Sequence, residues 1–130
     1  MLSRRQREIE LLEEKYGEVE HDQHLKWVIF KNVSLPEGWN RSSTDVLILI
    51  PDGYPVSPPD NFSVDSGLRT ASGSMPKNYG EGQHHFGREW GQFSVHILKE
   101  TWSPSNEILN GTNLITYMMV VVEKRLSEVN

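Results

Sequence analysis

The sequence predicts an α+β protein with a helix at each end and an antiparallel meander of three to four strands between them. Three observations carry this prediction. Apolar residues recur at helical spacing near the N-terminus, at Ile9, Leu12 and Tyr16, and again near the C-terminus, from Leu114 to Leu126. Between these ends, residues 24–33 and 44–50 are dense in Trp, Val, Ile, Leu and Phe with strand-like patterning. A length of 130 residues gives room for one hydrophobic core and not for two, so a single domain spanning residues 1–130 is expected.

The first helix is expected to begin at Ser3, because Ser3, Arg4, Arg5, Gln6 has the order of a capping box, with the Ser3 hydroxyl taking a backbone N–H and Gln6 reaching back. Ile9, Leu12 and Tyr16, with Leu11 beside them, form its core face; Glu8, Glu10, Glu13, Glu14 and Lys15 are assigned to solvent, and Gly17 suits the left-handed position past its end. Residues 24–33 read as a strand, 35–40 as a turn-rich connection, and 44–50 as a second strand whose nearly continuous apolar run predicts cover on both faces. Tyr54 to Pro59 holds three prolines and cannot continue a ladder. Residues 61–64 form a short third strand. From Asp65 to Gly91 the chain carries Gly67, Gly73, Gly80, Gly82, Gly87 and Gly91 with little periodicity, which predicts a long loop. A helix from about Asn113 to Ser127 follows, with Leu114, Ile115, Met118, Val121, Val122 and Leu126 inward and Lys124 and Arg125 in its last turn.

The run Phe93, Ser94, Val95, His96, Ile97, Leu98 joins this loop to Lys99, Glu100, Thr101 and then Trp102, Ser103, Pro104. In an extended segment Ser94 and His96 leave on one face, so a hydroxyl and an imidazole are neighbours; their Cα atoms stand about 6 to 7 Å apart on a flat strand, and a direct hydrogen bond requires a bend. A serine needs a positioned base or oxyanion donors to act as a nucleophile at neutral pH, and His84, His85 and His96 are the imidazoles at hand.

Tyr54-Pro55 with Pro58-Pro59, then a Gly-rich loop, a short apolar run, Trp102-Ser103-Pro104 and a closing helix together resemble the ubiquitin-conjugating enzyme superfamily. In that superfamily the catalytic cysteine stands eight residues before the tryptophan, a position held here by Ser94. The family's His-Pro-Asn motif falls on His84, His85 and Phe86, of which only the histidine matches. With no cysteine in the chain, the resemblance is to a cysteine-less bacterial branch serving prokaryotic ubiquitin-like conjugation systems. It implies a conjugating-enzyme-like fold without the extra C-terminal helices that many relatives carry. It also implies that a ubiquitin-like modifier passes from an activating enzyme to Ser94 as an oxyester and then to an amine of an acceptor protein. The loop histidines His84 and His85 are expected beside the nucleophile, with His96 the third candidate, and Arg4, Arg5 and Arg7 are expected to contact the activating enzyme. Phe86 in place of asparagine leaves oxyanion stabilisation unassigned. The alternative is an inactive variant serving as a binding or scaffold module for the modifier or its activating enzyme, since the spacing preserves the fold as well as the chemistry.

Other classes find little support. A formal net charge of −5 does not favour nucleic acid as a partner. Absent cysteine excludes disulfides, a thiolate nucleophile and cysteine zinc sites, and the adjacent His84 and His85 lack metal-ligand spacing, so no metal or cofactor is expected. Phe93-Ser94-Val95 is not a hydrolase elbow. The longest apolar run, residues 114–122, is interrupted by Thr116 and falls short of the ~20 residues of a spanning helix. Residues 1–7 precede no apolar segment of the secretory kind, so no membrane association and a cytoplasmic location are expected. Trp27, Trp39, Trp90 and Trp102 are expected in or beside the core.

Overall fold

The computed structural model describes residues 3–17, 19–95, 97 and 99–129. Helix α1 (Arg4–Tyr16) starts where the capping box places it: the Gln6 N–H donates to Ser3 Oγ at 3.2 Å and the Ser3 N–H to Gln6 Oε1 at 3.0 Å. It stops at Gly17, whose φ of 83° is open to glycine and whose N–H donates to the Glu13 carbonyl. Ile9 and Leu12 are buried, as the periodicity requires, but so is Glu8. Its assignment to the solvent side is corrected, and the reason is tertiary: the carboxylate has found buried donors on two other segments.

Six antiparallel strands form one sheet among the described residues: β1 (Val19–His21), β2 (Trp27–Ser34), β3 (Ser43–Leu49), β4 (Phe62–Asp65), β5 (Tyr79–His85) and β6 (Arg88–Phe93). Their spatial order is β1-β2-β3-β4-β6-β5. The expected three- to four-stranded meander is only the middle of this sheet. Strand β3 is central and covered on both faces, with Thr44 to Ile48 all buried, as its apolar run foretold.

The long loop expected over residues 65–91 is also corrected, because its second half is the β5–β6 hairpin, turning at Phe86 and Gly87 with φ of 57° and 75°. This hairpin is hard to read from sequence because β5 is an edge strand that buries no residue fully, so no apolar alternation marks it. Gly91 of β6 has a packing reason: a Cβ there would lie 2.0 Å from the Tyr79 hydroxyl oxygen, whose ring crosses over it.

Residues 114–127 close the core as a continuous helical rod built of α2 (Leu114–Thr116), a π-helical stretch Tyr117–Glu123, and α3 (Lys124–Ser127). Asn113 caps it, accepting the Thr116 N–H at 3.0 Å while Thr116 Oγ1 accepts the Asn113 N–H. Leu114, Met118, Val122 and Leu126 are buried at intervals of four. A pure α-helix would rotate such a row by about 40° per step. The wider π turns keep it aimed at the sheet.

The core lies between these helices and one sheet face, where Val28, Phe30, Val46, Ile48, Phe62, Val64 and Phe93 meet Leu12, Tyr117, Met118 and Val122. On the opposite face Ile29, Leu47 and Trp90 form a smaller cluster edged by Trp27, whose ring meets Phe86 at 4.5 Å. Beside it Arg88 bridges Asp45 (3.2 Å) and Asp65 (2.6 Å), with Lys31 and Arg41 completing the network. Burial raises the Asp45 carboxyl, yet Lys31, the Asn32 N–H and Arg88 outweigh it and hold its pKa below the usual value.

Candidate functional site

The Pro-rich segment and the tryptophan that follows the apolar run are locked together. Trp102 Nε1–H donates to the Pro55 carbonyl at 2.7 Å, and its ring lies 6.2 Å from that of Tyr54. The Tyr54 hydroxyl in turn donates to Glu8 Oε1, which also accepts the Leu114 N–H at 2.7 Å, while Glu8 Oε2 pairs with Arg4 at 2.9 Å. Burial, and then the Glu8 charge, raise the Tyr54 pKa far above the usual phenol value, so it stays a donor. One carboxylate thus ties α1, the proline turn and the start of α2 into a single frame.

Ser94 leaves that frame at the end of β6. Its N–H donates to the Asn78 carbonyl at 2.8 Å, and the Val95 N–H donates to Asn61 Oδ1 at 2.9 Å. Asn78 sits at φ 58°, a left-handed conformation that asparagine tolerates better than most residues. The chain is therefore pinned on both sides of Ser94 while the serine itself is exposed. It stands on the rim of a groove of about 340 Å³ whose other described lining is Val95, Ile97, Val120, Val121, Lys124, Arg125 and Glu128. The lining is largely apolar and includes two cations, Lys124 and Arg125, and one carboxylate, Glu128.

Arg125 is held against this groove. Its Cζ lies 4.5 Å from the centre of the Phe93 ring; Nη2 donates to the Lys77 carbonyl at 2.9 Å and Nη1 to the Glu128 carbonyl at 2.5 Å. Burial lowers its pKa from the ordinary value, with the Glu128 charge opposing.

The histidines are distributed differently from expectation. His84 and His85 lie on β5 at the hairpin tip, opposite Glu89 and Arg88. Ser94 follows the other end of β6, five residues beyond Glu89, or about 16 Å along an extended strand. Their expected approach to the nucleophile is thus corrected: a paired hairpin, unlike a free loop, holds its tip away from its base. Phe86, where the motif's asparagine would stand, is at the same tip. His96 lies outside the described residues.

The three arginines of α1 also part company. Arg4 pairs with Glu8 and donates to the Ser105 carbonyl, and Arg5 donates to the Pro51 carbonyl at 2.8 Å and more loosely to those of Leu25 and Asp52. Arg7 is exposed and pairs only along its own helix, with Glu10 3.3 Å away. Sequence reasoning missed Glu8, Asn61 and Asn78, and took Arg125 only as a favourable last-turn cation. The asparagines carry no motif; their turn-rich surroundings were the one signal available. Among the described residues no group of His, Asp and Glu is arranged to hold a metal ion, and no helix is long and apolar enough to cross a membrane.

An N-terminal helix, an antiparallel sheet, a proline turn locked to a tryptophan and an exposed serine at the sheet's end are consistent with a protein of conjugating-enzyme type. The profile of prokaryotic E2 family E matches residues 2–128, and the chain belongs to that family, a bacterial branch of the ubiquitin-conjugating superfamily. No curated protein and no solved structure matches it.

Proposed function

We propose that this protein carries the C-terminal carboxyl of a ubiquitin-like modifier as an oxyester on Ser94 and passes it to an amine of an acceptor protein. The observation that carries this reading is the setting of Ser94: eight residues before Trp102, exposed, and fixed by its backbone on the rim of an apolar groove. The modifier arrives as a thioester on its activating enzyme. Ser94 Oγ attacks the carbonyl carbon, a C–O bond forms, and the C–S bond breaks with its electron pair on sulfur. The hydroxyl proton ends on the departing thiol. In the second step the acceptor nitrogen attacks the ester carbon, a C–N bond forms, the C–O bond to Ser94 breaks, and a proton given up by the amine ends on the serine oxygen, leaving an amide.

Incubation with the activating enzyme, ATP and the modifier is expected to give an adduct that resists reductant, is cleaved by hydroxylamine, and is absent from Ser94→Ala. The base proposed for this step is His96, since His84 and His85 stand at the hairpin tip; His96→Ala is expected to slow charging by about 10²- to 10⁴-fold. That same remoteness favours the second reading, a scaffold that binds modifier or activating enzyme without chemistry. A scaffold gives no adduct, and its Ser94→Ala variant binds both partners unchanged.

A further inference from the structure

Ser94 chemistry places a negative charge on the carbonyl oxygen as its carbon becomes tetrahedral, and that charge needs donors already aimed at it. Backbone N–H groups beside the nucleophile are the usual source. Among the described residues, two such groups are spent: that of Ser94 on the Asn78 carbonyl and that of Val95 on Asn61 Oδ1. The position of the family's asparagine is Phe86, an apolar side chain at the far tip of the hairpin. Among the described residues, the remaining polar groups that line the groove with Ser94 are Lys124, Arg125 and Glu128. Glu128 carries the wrong sign, and Lys124 is exposed with no described contact to fix its ammonium.

From this we infer that Arg125 is the group that holds the developing oxyanion during acyl transfer to and from Ser94. The inference rests on the Ser94 reading above. Three features fit the guanidinium for this work. Its Cζ lies 4.5 Å from the ring centre of Phe93, the residue before Ser94, so the cation is held beside the nucleophile's own strand. It donates to the Lys77 carbonyl while Ser94 donates to that of Asn78, the next residue, so both groups are registered on one stretch of chain. The two carbonyls it contacts use two of its five N–H donors, leaving others to face the groove. A fixed cation on an apolar floor acts more strongly on a nearby charge than one in open water. The modifier's last residues would then lie along Val95, Ile97, Val120 and Val121, with the carbonyl oxygen turned toward Arg125.

The test uses the full-length protein and a defined probe, a short peptide ending in a glycyl thioester of 2-mercaptoethanesulfonate, with acylation read by intact mass and located by fragmentation. Acylation of the wild type that vanishes in Ser94→Ala establishes the Ser94 reading by itself. The Arg125 inference is read separately in the Ser94→Cys background, where the thiol reacts whether or not the natural hydroxyl does. There Arg125→Gln is expected to slow acylation on the order of 100-fold. Arg125→Lys should keep part of the rate, and millimolar guanidinium should restore part of it to Arg125→Ala, a rescue that a merely structural role would not give. Thermal melts of each variant identify those that still fold at the assay temperature; where Arg125→Gln does not, the lysine variant and the guanidinium rescue decide. Equal rates in Ser94→Cys with and without Arg125→Gln overturn the inference and leave the Ser94 reading standing. No acylation of either the wild type or Ser94→Cys overturns both.

Discussion

Glu8 is the residue on which most of the site's frame depends. Its carboxylate is fully buried and accepts from Arg4, the Tyr54 hydroxyl and the Leu114 N–H, so removing it strands three donors at once. Glu8→Ala is expected to destabilise the protein by roughly 3 kcal/mol, because an unpaired buried partner costs more than the pair contributes. Glu8→Gln keeps an acceptor oxygen and should lose less. Urea midpoints at unchanged slope would show both effects, and a wild-type midpoint for Glu8→Ala would remove Glu8 from this role. Glu81 offers a pH test. The Arg69 guanidinium beside it, opposed by burial and aided by the Tyr79 hydroxyl and the Gly67 N–H, pushes its carboxyl down to about 2 from the ordinary 4.5. Its unfolded form therefore takes up a proton at higher pH than its folded form. The stability it contributes is complete above about pH 4.5 and is lost as pH falls toward 2. Glu81→Gln should flatten the stability profile in that window and change nothing in its slope near pH 7; an unchanged acid limb would argue against the pairing.

At the scale of elements, the basic cluster of α1 is divided between internal contacts and solvent. Arg5 holds the Pro51 carbonyl and Arg4 holds Glu8, whereas Arg7 is free to meet a partner. Arg7→Glu is expected to weaken association with the activating enzyme at low salt while the melting temperature stays put. Arg5→Glu should lower the melting temperature whether or not binding changes. If Arg7→Glu binds normally, the docking role of α1 is lost. The β5–β6 hairpin makes its own prediction. Strand β6 pairs on both sides, with β4 and β5, while β5 lies at the edge. Amides of β6 should exchange with solvent slowly, and the segment before β5 and the outward amides of β5 faster. Rapid, uniform exchange across residues 65–91 would mean that the stretch behaves as the loop its glycines suggested.

At the scale of the whole molecule, a single apolar cluster runs from Ile9 in α1 through the sheet to Leu126. Unfolding in urea should therefore be one transition, with helix circular dichroism and tryptophan fluorescence coincident; two separated transitions would show independently stable parts. The sequence by itself determined the capped first helix, strands β2 to β4 and the closing helix. Each of these is written in local chemistry or in an apolar pattern that matches its burial, as in Ser3 and Gln6 or in the continuous apolar run of β3, covered on both faces. The tertiary structure decided what depends on partners distant in the chain. Glu8 carries the same local signature as the exposed glutamates beside it and is buried only because Tyr54, Leu114 and Arg4 converge on it. The four-residue row of the C-terminal helix runs through a π-helical stretch whose buried residues pack in the cluster formed with the sheet. His84 and His85 stand close to Ser94 in sequence, but pairing of β5 with β6 makes a rigid arm of the intervening chain and carries them to its far end. Arg125, thirty-one positions beyond Ser94, is brought to the groove by the same closure of helix on sheet.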